Sequence, residues 1–141
     1  MRLVVIGAVA AGLSAATRAR RLDRQLEILV LEKGDAISYG ACGLPYLAQN
    51  KVRDFTDLVV YSASYFQKER NIEGRTAAEV QEIEHGRRRL RLCSGEFIAY
   101  GKLIIATGAR QDTSGITGVD QPHVFSMNST AEAVRLKQHL L

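Results

Sequence analysis

"RLVVIGAVAAGLSAATRARRL" spans residues 2–22, and its reading decides the fold. Residues 2–6 form a continuous apolar run that stops at Gly7, the pattern of a strand buried on both faces. Residues 10–22 follow with Ala11, Ala15, Ala19 and Leu22 at helical spacing, which predicts a helix packed closely on a sheet. A second apolar run, "LEILVLE" at 26–32, predicts a second buried strand. Strand, glycine turn, helix and strand together make a parallel pair joined by a crossover helix. The fold class is α/β of the Rossmann-like kind.

The turn "GAVAAG" comprises Gly7, Ala8, Val9, Ala10, Ala11 and Gly12. Gly7 permits a tight turn and Gly12 a close helix-to-strand approach. The first helical turn offers unpaired N–H groups and the positive end of a dipole, which suit a pyrophosphate. Val9 stands where GxGxxG has its middle glycine, so the motif is degenerate. The alternative is a tight turn with no ligand. Glu32 shifts the balance, because a carboxylate at the end of the second strand accepts hydrogen bonds from both hydroxyls of an adenosine ribose. It also repels a 2′-phosphate, which favours FAD or NAD over NADP here. Lys33 adjoins it.

Further along, "SYGACGLPY" (38–46) places Cys42 among small residues. A short helix is expected to begin near Cys42, with Pro45 in its first turn, where a missing N–H matters little. "SASYFQKERN" (62–71) reads as another helix, and residues 79–100 as an inserted β-meander broken by "HG" and "SG". "KLIIATGA" (102–109) is a third buried strand ending in a small-residue turn. A loop over 111–122, a short strand at 123–127 and a helix opened by the capping pattern "STAE" (129–132) complete the chain.

The 141 residues carry a net charge of +4, much of it from "GRRRLRL" at 86–92. No recognition motif accompanies that run, so no nucleic-acid partner is expected. The apolar runs are too short to span a bilayer, and the N-terminus has no secretory-signal pattern; a cytoplasmic protein with no membrane partner is expected. Two cysteines without CxxC spacing and three scattered histidines point to neither a disulfide framework nor a metal site. Cys93 reads as a half-buried strand cysteine.

Three segments in order, "VVIGAVAAGLSAATRARRLD", "LEKGDAISYGACGLPY" and "YGKLIIATGAR", resemble the FAD-dependent pyridine nucleotide–disulfide oxidoreductases. Within that family they are most similar to the single-cysteine, coenzyme A-disulfide reductase branch. The resemblance implies an FAD-binding domain over residues 1–110, then a connecting loop and helix start over 111–141. It implies Cys42 as the catalytic thiol beside the flavin. Cofactor contacts are implied at residues 7–12, Glu32, Lys33, Val80, Ala106, Thr107 and Gly108. Ser14, Arg18, Arg21 and Ser38 match the branch's coenzyme A positions. Ser14, Arg18 and Arg21 share one helix face at i, i+4 and i+7, and two guanidiniums there suit phosphates; the alternative is an exposed basic stripe.

A partner cysteine five positions from Cys42 is absent, since Ile37 and Leu47 stand there. The oxidised form is therefore a mixed disulfide or a sulfenic acid. The oxidase and peroxidase relatives carry a histidine in the phosphate turn, where this chain has Ala10, and Ala41 stands where the coenzyme A branch often has Asn. The expected function is NAD(P)H:disulfide oxidoreduction on coenzyme A disulfide or a related small disulfide or persulfide. The alternatives are a non-catalytic nucleotide-binding module and an NADH oxidase or peroxidase using a sulfenic acid. "GITGVD" (115–120) follows no buried strand, so the NAD(P)H site of full-length relatives is not expected here. The chain reads as an N-terminal portion, incomplete relative to the family and inactive alone; a full-length relative would be a homodimer.

Overall fold

A computed structural model describes residues 1–140. The described chain packs as two compact units, one of residues 1–39 and 59–107 and the other of 40–58 and 108–140. These packing units are a different partition from the division at residue 110 expected on function.

In the first unit the chain opens with β1 (Arg2–Ile6), α1 (Ala10–Leu22) and β2 (Glu27–Leu31). Later come α3 (Ala63–Arg70), β3 (Glu73–Arg75), β4 (Val80–Glu84), β5 (Arg89–Leu92), β6 (Phe97–Ala99) and β7 (Lys102–Ile105); α2 (Leu44–Ala48) belongs to the second unit. A parallel four-stranded sheet has the order β3-β2-β1-β7, with Val5 opposite both Val30 and Ile104. The meander is an antiparallel sheet, β4-β5-β6. Strand alternation sends Leu3 and Val5 to one face, where Leu13, Ala16 and Phe66 of the helices cover them. Val4 and Ile6 point the other way, onto Leu90, Leu92 and Ile98 of the meander. The central strands are thus apolar from Leu3 to Ile6 and from Ile28 to Leu31, because both faces are covered there. Each fully buried Leu or Val contributes about 1.5–3 kcal/mol.

Three expectations need correction here. The buried face of α1 is Gly12, Leu13 and Ala16, with Ala19 of the expected row packed partly buried beside them; Ala15 is half-buried, Ala11 is exposed and Leu22 is 71% exposed. The close approach of Gly12 to the turn rotates the helix one position from the row read in the sequence. Strand β7 is an edge strand, and Ile105 is 60% exposed. Cys93 is exposed rather than half-buried, because β5 ends at Leu92 and the chain then turns.

The second unit contains a 3₁₀ turn (Ala41–Gly43), α2 (Leu44–Ala48), another 3₁₀ turn (Phe55–Leu58) and α4 (Thr130–Leu140). Its core is Leu44, Leu47 and Ala133, bordered by Val52, Leu58, Met127 and Val134. Pro45 occupies the first turn of α2 as expected. The capping pattern is realised at α4: the Ser129 and Glu132 side chains bond each other's backbone N–H, at 2.7 Å for Ser129 and 3.3 Å for Glu132. Residues 123–127 form no strand. Val124 instead closes a turn onto the Gln121 carbonyl, and no neighbouring strand offers this segment a ladder. Among the described residues, no helix is long and apolar enough to cross a membrane, and no cluster of His, Cys, Asp or Glu could hold a metal ion.

Candidate functional site

The turn between β1 and α1 is built by two glycines against backbone. Gly7 adopts φ +101°, and a Cβ there would collide with the Ala106 carbonyl. A Cβ on Gly12 would strike the Gly7 carbonyl oxygen. Both positions therefore admit only glycine. Val9 is the helix N-cap at φ −105°, ψ −142°. Its negative φ does not call for the left-handed freedom that only glycine offers. No side chain caps α1 and no acidic residue lies in its first turn. Its leading N–H groups and dipole remain available to an anion.

Glu32 follows β2 and is tied to this turn. Its Oε2 accepts the Ala8 N–H at 2.8 Å and its Oε1 accepts the Gly34 N–H at 3.0 Å. Each oxygen retains a lone pair for a further donor. The backbone is held as well: the Glu32 N–H donates to Arg75 O at 2.9 Å, and Glu32 O accepts from Ala78 at 2.8 Å. Ala77 donates to the Gly34 carbonyl at 3.0 Å. The strand end carrying Glu32 thus lies beside residues 77–78, two positions before Val80 opens β4. Lys33 is exposed. The part of Arg75 and β3 in holding Glu32 was not legible, since "EGR" has no apolar signal.

On the other side of β1, Ala106 donates to the Ile6 carbonyl at 2.8 Å, and its own carbonyl faces Gly7. Thr107 is exposed just beyond. Ser38 also reaches the turn: its N–H donates to Ala8 O at 2.9 Å, and its carbonyl accepts from Val60 at 2.8 Å. Ser38 holds φ +55°, unusual for a residue with a Cβ. Ser14, Arg18 and Arg21 all lie on the exposed face of α1. Arg20, between them in sequence, is engaged elsewhere, donating to the carbonyls of Asp23, Arg24, Arg70 and Asn71.

The first unit therefore gathers the turn, Glu32, Ala106, Thr107 and Ser38 around the ends of β1 and β2. Cys42 and Gly108 belong to the second unit. Cys42 is exposed in the 3₁₀ turn that leads into α2. The short helix expected there is formed by the five residues "LPYLA". Gly108 adopts φ +72°. Cys93 lies in the first unit, where partial desolvation, and then the Glu79 carboxylate, pushes its thiol pKa up.

A parallel sheet with a glycine turn into an uncapped helix, and a carboxylate at the next strand end, defines an α/β fold of the dinucleotide-binding type. The sequence pattern of the family described as pyridine nucleotide-disulphide oxidoreductase matches residues 1–141, and the chain belongs to that family. A "Coenzyme A disulfide reductase" of Staphylococcus haemolyticus is 30% identical over 99% of this chain and 32% of its own length. An "NADH oxidase" of Methanocaldococcus jannaschii is 28% identical over 99% of this chain and 32% of its own. Among solved structures, a NAD-dependent persulfide reductase from A. fulgidus superposes with TM-score 0.88 at 35% identity, covering 99% of this chain and 27% of that one. The chain thus spans about a third of the length of the curated relatives it matches.

Proposed function

We propose that this chain is the FAD-binding, thiol-bearing part of an NAD(P)H:disulfide oxidoreductase acting on coenzyme A disulfide or a related disulfide or persulfide. The observation that carries this reading is the Gly7–Gly12 turn with Glu32 bonded to it. These residues fit FAD. The uncapped N–H groups of α1 would hold its pyrophosphate, and Glu32 and Lys33, with the Val80 backbone, its adenosine. Ala106, Thr107 and Gly108 would border the cofactor on the other side of β1. When bound, FAD supplies the two-electron link between a reduced pyridine nucleotide and a thiol.

The chain's own chemistry centres on Cys42. Its thiolate attacks one sulfur of coenzyme A disulfide, forming Cys42–S–S–CoA and expelling one coenzyme A thiolate. Two electrons, drawn in the whole protein from NAD(P)H, then cleave that bond and release the second coenzyme A, restoring the Cys42 thiolate. Ser14, Arg18, Arg21 and Ser38 would bind the substrate, the two guanidiniums meeting phosphates. In this reading NAD(P)H binds outside the present chain, the whole protein is a cytoplasmic homodimer, and the chain alone turns over little.

A second reading, an oxidase that passes through a Cys42 sulfenic acid, is favoured by the relative named NADH oxidase. Ala10 in the turn disfavours it. The two readings leave different products on one sulfur. Incubation with coenzyme A disulfide, followed by peptide mass spectrometry, should show a coenzyme A adduct on Cys42 that Cys42→Ser removes. Sulfinic acid on Cys42 without an adduct would favour the oxidase, and an adduct unaffected by Cys42→Ser would overturn the thiol assignment.

A further inference from the structure

The turn carrying Cys42 and the five-residue α2 behind it are too short to hold one conformation by helix propensity. Helix α4 holds them. Ala133 is fully buried in the cluster with Leu44 and Leu47. Lys137 follows Ala133 by four residues and so lies on the same face of α4. Its Nζ donates to the Arg53 carbonyl at 2.6 Å and to the Val52 carbonyl at 3.3 Å. Val52 in turn donates its N–H to the Tyr46 carbonyl of α2 at 3.2 Å, and Lys51 does so at 2.9 Å. One ammonium therefore reaches α2 through a single backbone link, and Leu44 and Ala133 close the other side.

We propose that Lys137 is a positioning residue for the Cys42 turn, fixing the exit of α2 and so the orientation of the thiol. This deepens the reading of Cys42 as the redox thiol and rests on it for its meaning in catalysis. The ammonium is charged and both acceptors are neutral carbonyls, so the contact belongs to the stronger class of hydrogen bonds. Loss of such a bond raises local opening of the segment it ties without unfolding the rest.

The test is alkylation of the 141-residue chain by iodoacetamide, read at both cysteines by mass spectrometry. Cys93, in the other unit, serves as the internal reference. Lys137→Met keeps the aliphatic stem and removes the donors. The ratio of Cys42 to Cys93 rates should rise roughly threefold or more in Lys137→Met and return to the parental value in Lys137→Arg. A smaller change, a parallel rise at both cysteines, or failure of the arginine to restore the ratio would overturn the proposal. If circular dichroism shows Lys137→Met unfolded, Lys137→Leu, which also lacks donors, replaces it and the same ratio decides. The coenzyme A adduct is a separate readout. A shifted ratio with no adduct defeats only the redox reading, and an adduct with an unshifted ratio defeats only the role of Lys137.

Discussion

The backbone N–H of Ala8 donates to Oε2 of Glu32 at 2.8 Å, across the gap between two parallel strands. Ala8 is fully buried, and its carbonyl accepts the Ser38 N–H. The residue proposed to read the ribose is therefore also a strut of the phosphate turn. Its carboxylate has room for both tasks because each oxygen takes one backbone donor and keeps a lone pair free.

Replacing Glu32 with Gln tests that double role. The amide presents one N–H₂ group, so either Ala8 or Gly34 would face a donor instead of an acceptor. An unsatisfied half-buried N–H costs roughly 1–3 kcal/mol. We predict a chemical-denaturation midpoint lowered accordingly and FAD affinity weakened by about tenfold or more. Unchanged stability with weakened affinity would assign Glu32 to the ligand alone.

The glycines of the turn should be unequal to their neighbour. Gly12→Ala drives a methyl into the Gly7 carbonyl, and Gly7→Ala adds a Cβ at positive φ against Ala106. Each should destabilise by about 3 kcal/mol or more. Val9→Gly, which restores the full GxGxxG pattern, should destabilise slightly, by about 0.5–1 kcal/mol, since Val9 has a negative φ and glycine there only adds chain entropy to the unfolded state. Thermal melts of the three variants check the order; a stabilised Val9→Gly would contradict it.

How much of this was readable follows the strength of each local signal. The β-α-β unit, the meander and the Ser129–Glu132 cap rest on apolar runs, turn residues and capping chemistry that act over a few positions. The buried face of α1 was displaced by one position because five alanines mark two faces almost equally, and the Gly12 contact that chooses between them is tertiary. Strand β3 was invisible: Glu73, Gly74 and Arg75 carry no strand pattern, and the neighbouring β2 makes them one. At residues 123–127 the apolar residues were present without a partner strand, and a turn prevailed. The chemical residues were legible by type, but not that Glu32 and Ser38 would both bond Ala8.

The cap of α4 should make stability depend on acid pH. The Ser126 hydroxyl, then the backbone N–H of Asn128, with Ser129, hold the Glu132 carboxyl below the usual glutamate range. A depressed folded pKa contributes stability that is full above the unfolded value, near 4.3, and is lost as pH falls through the folded one. We predict that denaturation midpoints fall below about pH 4 and that Glu132→Gln flattens this part of the profile, at a cost of about 1 kcal/mol at neutral pH. An identical acid limb in Glu132→Gln would refute the assignment.

The Cys93 thiol should react slowly for an exposed cysteine. Desolvation and Glu79 disfavour the Cys93 thiolate, so at neutral pH Cys93 should alkylate slowly, and Glu79→Gln should speed it. A pH–rate profile at each cysteine checks this, and a Cys93 rate indifferent to Glu79→Gln would contradict it.

The most direct test of the account is equilibrium binding of FAD to the purified chain, followed by flavin fluorescence with ADP and FMN as competitors. Because the turn and Glu32 would grip the adenosine diphosphate half, FAD should bind, ADP should displace it and FMN should not. Failure of FAD to bind, or displacement by FMN as effective as by ADP, would contradict the claim that this β-α-β unit holds the cofactor.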